Sequence, residues 1–159
     1  MKPNLQWLEL KVPPLLVMAV MAVAMWAGST MFPGLSVTLP SGLKGFAASG
    51  IALCGALVSL AGVLAFRRAG TTVNPLTPES ASHFVAGGIY RYSRNPMYLG
   101  FLLVLAGFAL FLAHALGALF PFLFVLYMNR FQIAPEEAFL ATRFGEAFRT
   151  YCAAVPRWI

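Results

Sequence analysis

Charge is missing from three long stretches of this chain, and polar residues crowd into the gaps between them. Residues 12–43 carry no charged side chain. A helix there begins at Pro13 or Pro14, because proline is tolerated in a first turn, and runs to about Phe32. Pro33-Gly34 and Pro40-Ser41-Gly42 then predict a loop. Residues 45–66 form a second uncharged span, closed by Arg67-Arg68. Residues 67–96 are polar and rich in Gly and Pro, and loops of that length are functional or disordered more often than they are mere turns. Residues 95–129 are again free of formal charge. As one helix they would run roughly 52 Å against a hydrocarbon layer of about 30 Å. The pattern therefore predicts two helices turning at His114-Ala115-Leu116-Gly117, with Pro121 near the start of the second; one kinked helix is the alternative. Residues 135–153 predict an amphipathic helix with an apolar stripe of Leu140, Phe144, Ala147, Phe148 and Tyr151. Pro135 suits its first turn, and Glu136 and Glu137 suit a helix N-terminus.

Composition turns these helices into membrane spans. Of the 159 residues, 60% are hydrophobic and 10% charged, against about a quarter charged in a soluble domain. The fold class expected is all-α: a polytopic membrane protein, one domain over residues 1–159, with four transmembrane helices and a C-terminal amphipathic helix. The net charge is +6, but the basic residues lie between and after the spans, as membrane topology demands, and form no nucleic-acid-binding run. Four spans with both termini cytoplasmic put Lys2, Lys11, Arg67, Arg68, Arg91, Arg94, Arg130, Arg143, Arg149 and Arg157 inside and leave Lys44 outside. Three spans would move the last four arginines outside, against the positive-inside rule. The first span is long for a signal-peptide core, and no small-x-small site follows it. Cys54 and Cys152 have no metal or disulfide spacing, so no metal is expected.

The polar chemistry falls in two segments, and the four-span topology brings both to one cytoplasmic mouth. The first, residues 82–100, mixes glycines, tyrosines and arginines; glycines let backbone approach a ligand closely. The second supplies Glu136 and Glu137, then Phe144-Gly145 and Val155-Pro156-Arg157-Trp158. The order Gly88, Tyr90, Arg94, Asn95, Pro96, Tyr98, Gly100, then Glu136, Glu137, Leu140, Phe144, Gly145 and the closing Val155-Pro156-Arg157 resembles the isoprenylcysteine carboxyl methyltransferase and phospholipid methyltransferase superfamily. The resemblance covers residues 70–159.

That resemblance implies an integral membrane methyltransferase of a bacterial inner membrane, its site facing the cytoplasm and binding S-adenosylmethionine under the C-terminal segment. Carried over position by position, the cofactor-binding residues are Ser82, His83, Phe84, Val85, Tyr90, Asn95, Pro96, Met97, Tyr98 and Glu136. Glu136 can accept from the cofactor's ammonium or ribose, Phe84, Val85 and Tyr98 can enclose adenine, and Arg94 can hold its carboxylate. Methyl transfer is an in-line displacement, so positioning suffices and no nucleophilic side chain is required. Arg94 and Gln132 are the positioning candidates.

The chain departs from the eukaryotic motif at two places. Asn95 stands where those enzymes have His. Gln132 stands where prenylcysteine enzymes have a substrate-engaging Arg, with Arg130 two residues earlier, so Arg130 and Gln132 are the candidate contacts to the acceptor. The acceptor is small or lipid-like, a carboxylate, an amine or a thiol, and membrane lipids are the surrounding partner.

Other function classes fit less well. A non-enzymatic assembly or lipid-binding protein of the same fold is the alternative. A channel is disfavoured because no ionisable Arg, Lys, Asp or Glu lies within a span. A haem bundle is disfavoured because the two histidines, His83 and His114, fall on opposite sides of the membrane, and His114 reads as structural. A related nicotinamide-dependent membrane reductase is disfavoured by the short chain and the Arg94-Asn95-Pro96-Met97-Tyr98 segment. Without a Gly-x-Gly-x-x-Gly or strand–helix alternation, a soluble Rossmann methyltransferase is excluded.

Overall fold

Proline sets where two of the long helices begin. In the computed structural model, which describes residues 9–70 and 84–159, α1 spans Pro14–Met31 and α3 spans Pro96–Leu112, each with proline in its first turn. Pro13 and Asn95, the residues ahead of them, lie outside the helical region, as the clash with a following proline ring requires. Between these helices lies α2, Ser41–Arg68. It starts earlier than the uncharged span and takes Lys44 into its first turn.

α3 ends at Ala113, which adopts a left-handed conformation at φ 47°. The chain turns through residues 113–118 and re-enters α4, Leu119–Tyr127. The third apolar stretch is therefore two helices. The turn is pinned to the loop after α1. Val37 N–H donates to Ala113 C=O (2.7 Å), Ala115 N–H to Leu35 C=O (3.0 Å), and His114 Nε2 lies 2.9 Å from Phe32 C=O.

α3 is the spine. It packs on α1, α2 and α4, and Leu105, Phe124, Met128, Met25 and Val17 form the core where α1, α3 and α4 meet. α2 rests on α3 and on the short turn Gly88–Arg91. The α2–α3 seam is built from small residues. A Cβ placed on Gly55 would sit 2.5 Å from Gly100 C=O, and one on Gly107 would sit 2.7 Å from Ala48 C=O. Ser59 Oγ also donates across the seam to Met97 C=O (2.9 Å). In hydrocarbon there is no hydrophobic force between helices, so such close backbone approach is what holds them. The opposite face of α2 exposes Phe46, Leu53, Leu57 and Leu60, a surface suited to lipid tails. Two helices, Pro14–Met31 and Lys44–Arg68, are long and apolar enough to cross a membrane, while α3 is shorter.

The amphipathic helix α5, Ala134–Ala154, departs from expectation at both its start and its middle. It has no free N-terminus, because α4 runs into it through a π-helical segment, Met128–Ile133, and Ile133 is itself helical (φ −69°, ψ −46°). The macrodipole reading of Glu136 and Glu137 therefore fails. Pro135 explains the widened turn. It has no N–H to give to the carbonyl one turn back, and its ring crowds that carbonyl. The carbonyl of Phe131 instead accepts from Leu10 N–H at 3.1 Å. In its middle, α5 is broken at Gly145, whose φ 55° and ψ −127° are not helical; glycine tolerates that conformation without the usual Cβ penalty.

Candidate functional site

Three elements each contribute one side chain to a hydrogen-bonded trio. Tyr98, in the first turn of α3, donates its hydroxyl to Glu136 Oε1 at 2.7 Å. Gln132, in the π segment, donates Nε2 to the same oxygen at 2.6 Å. Tyr98 and Gln132 are buried, with Gln132 only 2% exposed. π-turns re-aim side chains and recur at functional sites, and here the turn carries Gln132 into contact with α5. Among the described residues Glu136 is in no ion pair. Burial raises its carboxyl from the ordinary 4.5 to about 7, with Glu137 adding in the same direction; the bonds from Gln132 and Tyr98 oppose the rise.

Its neighbour Glu137 has the opposite environment. Arg94 Nη1 lies 3.2 Å from Glu137 Oε1, and Arg157 donates Nε to that oxygen at 3.1 Å and Nη2 to the other. Arg157 is raised in pKa, first by this hydrogen bonding to Glu137. Arg94 keeps one buried donor, Nε, that meets no acceptor among the described residues. A buried N–H without a partner is costly.

Residues 155–158 run as a strap over these groups. Arg94 N–H donates to Pro156 C=O at 3.0 Å, and Asn95 Nδ2 donates to Arg157 C=O at 3.0 Å. Trp158 Nε1 donates to Asn129 Oδ1 at 3.1 Å.

Beside the trio lies an aromatic cluster. Phe84 meets Phe144, Phe148 and Tyr151 with ring centroids 5.2, 5.8 and 5.7 Å apart. Phe144 before the break at Gly145, and Phe148 and Tyr151 after it, all reach Phe84. Tyr151 hydroxyl then donates to Tyr90 C=O at 2.7 Å, and Tyr90 packs edge-on against Phe66. Burial pushes the Tyr151 phenol up to about 12. Burial, with Tyr151 and Glu136 nearby, also raises the Tyr90 phenol.

Of the sequence-derived candidates, the structure brings Tyr98, Gln132 and Glu136 into direct contact and sets Arg94 beside Glu137. Phe84 lies in the aromatic cluster and Tyr90 is tied to it through Tyr151. Asn95 is held by the strap. Pro96 is a buried helix start, and Met97 faces Gly62 across the α2 seam. Val85 is half-buried in the approach to Tyr90. Arg130 is not with the trio; it pairs with Glu9 at 2.6 Å, lies over the Phe131 ring and is half exposed. Ser82 and His83 lie outside the described residues, as does Lys2. Sequence reasoning named Trp158 but missed its partner Asn129, and missed Ser93, because a bond to a backbone carbonyl or across distant positions leaves no mark in a residue pattern. It also missed the α2 seam, although Ala48, Ala52, Gly55, Ser59 and Gly62 recur at the small-residue spacing that predicts one.

Residues 43–147 match the family model described as phospholipid methyltransferase. An uncharacterized protein of Haemophilus influenzae is 43% identical over 63 residues, covering 40% of this chain and 100% of that protein. A protein-S-isoprenylcysteine O-methyltransferase of Schizosaccharomyces pombe is 36% identical over 95 residues, covering 51% of this chain. The match spans 39% of the length of that yeast relative. No solved structure matches.

Proposed function

The chain belongs to the phospholipid methyltransferase family, which with its apolar helices makes it a membrane methyltransferase, and from that premise we propose that it uses S-adenosylmethionine to methylate a small or lipid-like acceptor. The observation that carries the cofactor is the contrast between two adjacent carboxylates. Glu137 is saturated by two arginines, whereas Glu136 is buried against two neutral donors with no cation. A buried carboxylate in that state is stabilised by a cationic partner.

The donor set fits the zwitterionic end of the cofactor. Glu136 supplies an acceptor for the ammonium, and the orphaned Nε of Arg94 supplies a donor for the carboxylate. Bound there, S-adenosylmethionine supplies an electrophilic methyl on a cationic sulfonium. Tyr98 and Gln132 fix the rotamer of Glu136 from two directions. Phe84 and the rings behind it offer an apolar wall that excludes water. Ser82 and His83 precede that wall in sequence and remain proposed contacts, as do Val85, Tyr90, Pro96 and Met97. Gln132 is the proposed acceptor-side contact; Arg130, paired with Glu9, would have to leave that pair to serve as one.

A lipid-like acceptor is supported by the apolar helices that surround the site; the groove between α1 and α2 lies further along α3, beyond Tyr98, and is a separate lipid-facing surface. These helices flank α3, and the gap of about 350 Å³ is lined by Met18, Ala22, Ala52, Val104, Leu105 and Phe108. Hydrocarbon can therefore approach α3 from the side. Four spans, cytoplasmic termini and a site facing the cytoplasm of a bacterial inner membrane complete the reading, on the strength of the basic residues between and after the spans.

Calorimetric titration of S-adenosylmethionine and S-adenosylhomocysteine into the detergent-purified protein tests the proposal. Saturable binding is expected, and it is lost in Glu136→Ala. A well-folded protein that binds neither ligand would leave an assembly or lipid-binding role for the fold.

A further inference from the structure

The trio of Tyr98, Gln132 and Glu136 joins the start of α3 to one continuous helical run, the π segment and α5. Within the trio the bond from Tyr98 to Glu136 ties the two together. The strap touches the chain beside all three residues, each time within three positions of a trio member. Asn95, three before Tyr98, donates to Arg157 C=O at 3.0 Å, and Ser93 Oγ reaches the same carbonyl at 3.5 Å. Asn129, three before Gln132, accepts from Trp158 at 3.1 Å. Glu137, next to Glu136, accepts from the Arg157 side chain. Val155, at the start of the strap, is buried, and Trp158 packs on the core.

We propose that residues 155–158 act as a latch that holds the trio in register, with Asn95 and Trp158 as its positioning residues and Asn95 bonded to the strap rather than to the methyl donor. This assigns Asn95 a different task from the cofactor contact that its place in the motif suggests. Among the described residues its Nδ2 has one acceptor, a strap carbonyl. Its backbone N–H is taken by Ser93 Oγ at 3.1 Å, which braces the residue from the other side. The latch makes a prediction that a direct contact does not. Weakening the strap far from Asn95, at the Trp158–Asn129 bond, must have the same effect as removing the Asn95 amide.

The inference rests on the methyltransferase reading for its kinetic half alone. Hydrogen exchange of the ligand-free protein, compared for wild type, Asn95→Ala and Trp158→Phe, tests the latch without any ligand. Both variants are expected to lose protection at the Arg94 amide, whose acceptor is Pro156 C=O, and across residues 155–158. In parallel, stopped-flow release of S-adenosylhomocysteine is expected to quicken about five-fold in each variant, the worth of one hydrogen bond. KM for the methyl donor should rise more than kcat falls. Trp158→Phe keeps an aromatic ring against the core while removing the Nε1 donor, so it remains informative should Asn95→Ala fold poorly. Unchanged strap protection in Asn95→Ala combined with lost ligand binding would make Asn95 a direct contact and overturn the latch. So would a Trp158→Phe protein whose strap protection matches wild type. If wild type itself binds no S-adenosylhomocysteine, the cofactor reading fails, while the exchange result still decides the latch.

Discussion

Replacing Gly100 by alanine puts the α2–α3 seam under a defined load. The added Cβ would lie 2.0 Å from Ser59 Oγ, 2.4 Å from Gly55 C=O and 2.7 Å from Ser59 N. The hydroxyl can rotate away, at the loss of its bond to Met97 C=O. The two backbone atoms cannot. Restoring an ordinary carbon–oxygen contact of about 3.3 Å requires the helices to part by roughly 0.9 Å along the seam. Overpacking of that kind costs about 1–3 kcal/mol, and the lost interhelical hydrogen bond adds about 0.6 kcal/mol. The expected destabilisation is therefore about 2–4 kcal/mol. Gly50→Ala, on the facing helix α2, is the control, because its Cβ meets nothing within 4 Å. It should be neutral or stabilise by up to about 1 kcal/mol through helix propensity. Reversible unfolding in mixed detergent micelles, followed by circular dichroism, measures both. Because α3 carries Tyr98, ligand affinity should fall in Gly100→Ala and not in Gly50→Ala. A Gly100→Ala protein within about 0.5 kcal/mol of wild type, at or below the size of an ordinary surface substitution, would refute the close-packed seam.

Two further outcomes follow from the site. Glu136 is protonated more readily in the folded chain, at about 7 against 4.5, so its contribution to ligand-free stability is greatest below pH 4.5 and is lost as pH rises through 7, by at most about 3–4 kcal/mol. Thermal melts across that window should lose this slope in Glu136→Gln, while donor affinity in wild type weakens below about pH 7 as the carboxylate is protonated; a slope unchanged in the variant refutes the assignment. Gly145→Ala forces a side chain into φ 55°, ψ −127°, at a cost of about 1–3 kcal/mol. Unfolding measurements should register that cost, and hydrogen exchange should show residues 146–154 loosening from Phe84; wild-type values for both would mean the break is not needed.

The apolar helices and the turn at His114 were legible because charge and proline are local signals. Tyr98, Gln132 and Glu136 were legible as candidates, since the motif fixes their order and spacing, and the structure brings the three together. What was not legible is how they meet. The π-turn around Gln132 arises at Pro135, whose missing N–H leaves the Phe131 carbonyl to the Leu10 N–H, a donor contributed by a segment more than a hundred residues away. The motif marked Glu136 and Glu137 as a pair, yet their environments diverge because Arg94 and Arg157 converge on one of them only. The break at Gly145 was hidden by a stripe that reads as one helix, since Phe144, Phe148 and Tyr151 keep helical spacing on both sides of it.

The carbonyl of Phe131 gives this last point a wider meaning. Pro135 removes its helical partner, and Leu10 N–H takes the vacancy while Glu9 holds Arg130 beside it. A defect in one helix has thereby become an address for another part of the chain. The segment that leads into α1 and the turn that aims Gln132 now share a single joint. A change at Leu10 that never touches the site still reaches it, by altering how far that turn can relax, so sequence distance from the site is a poor guide to which positions govern it.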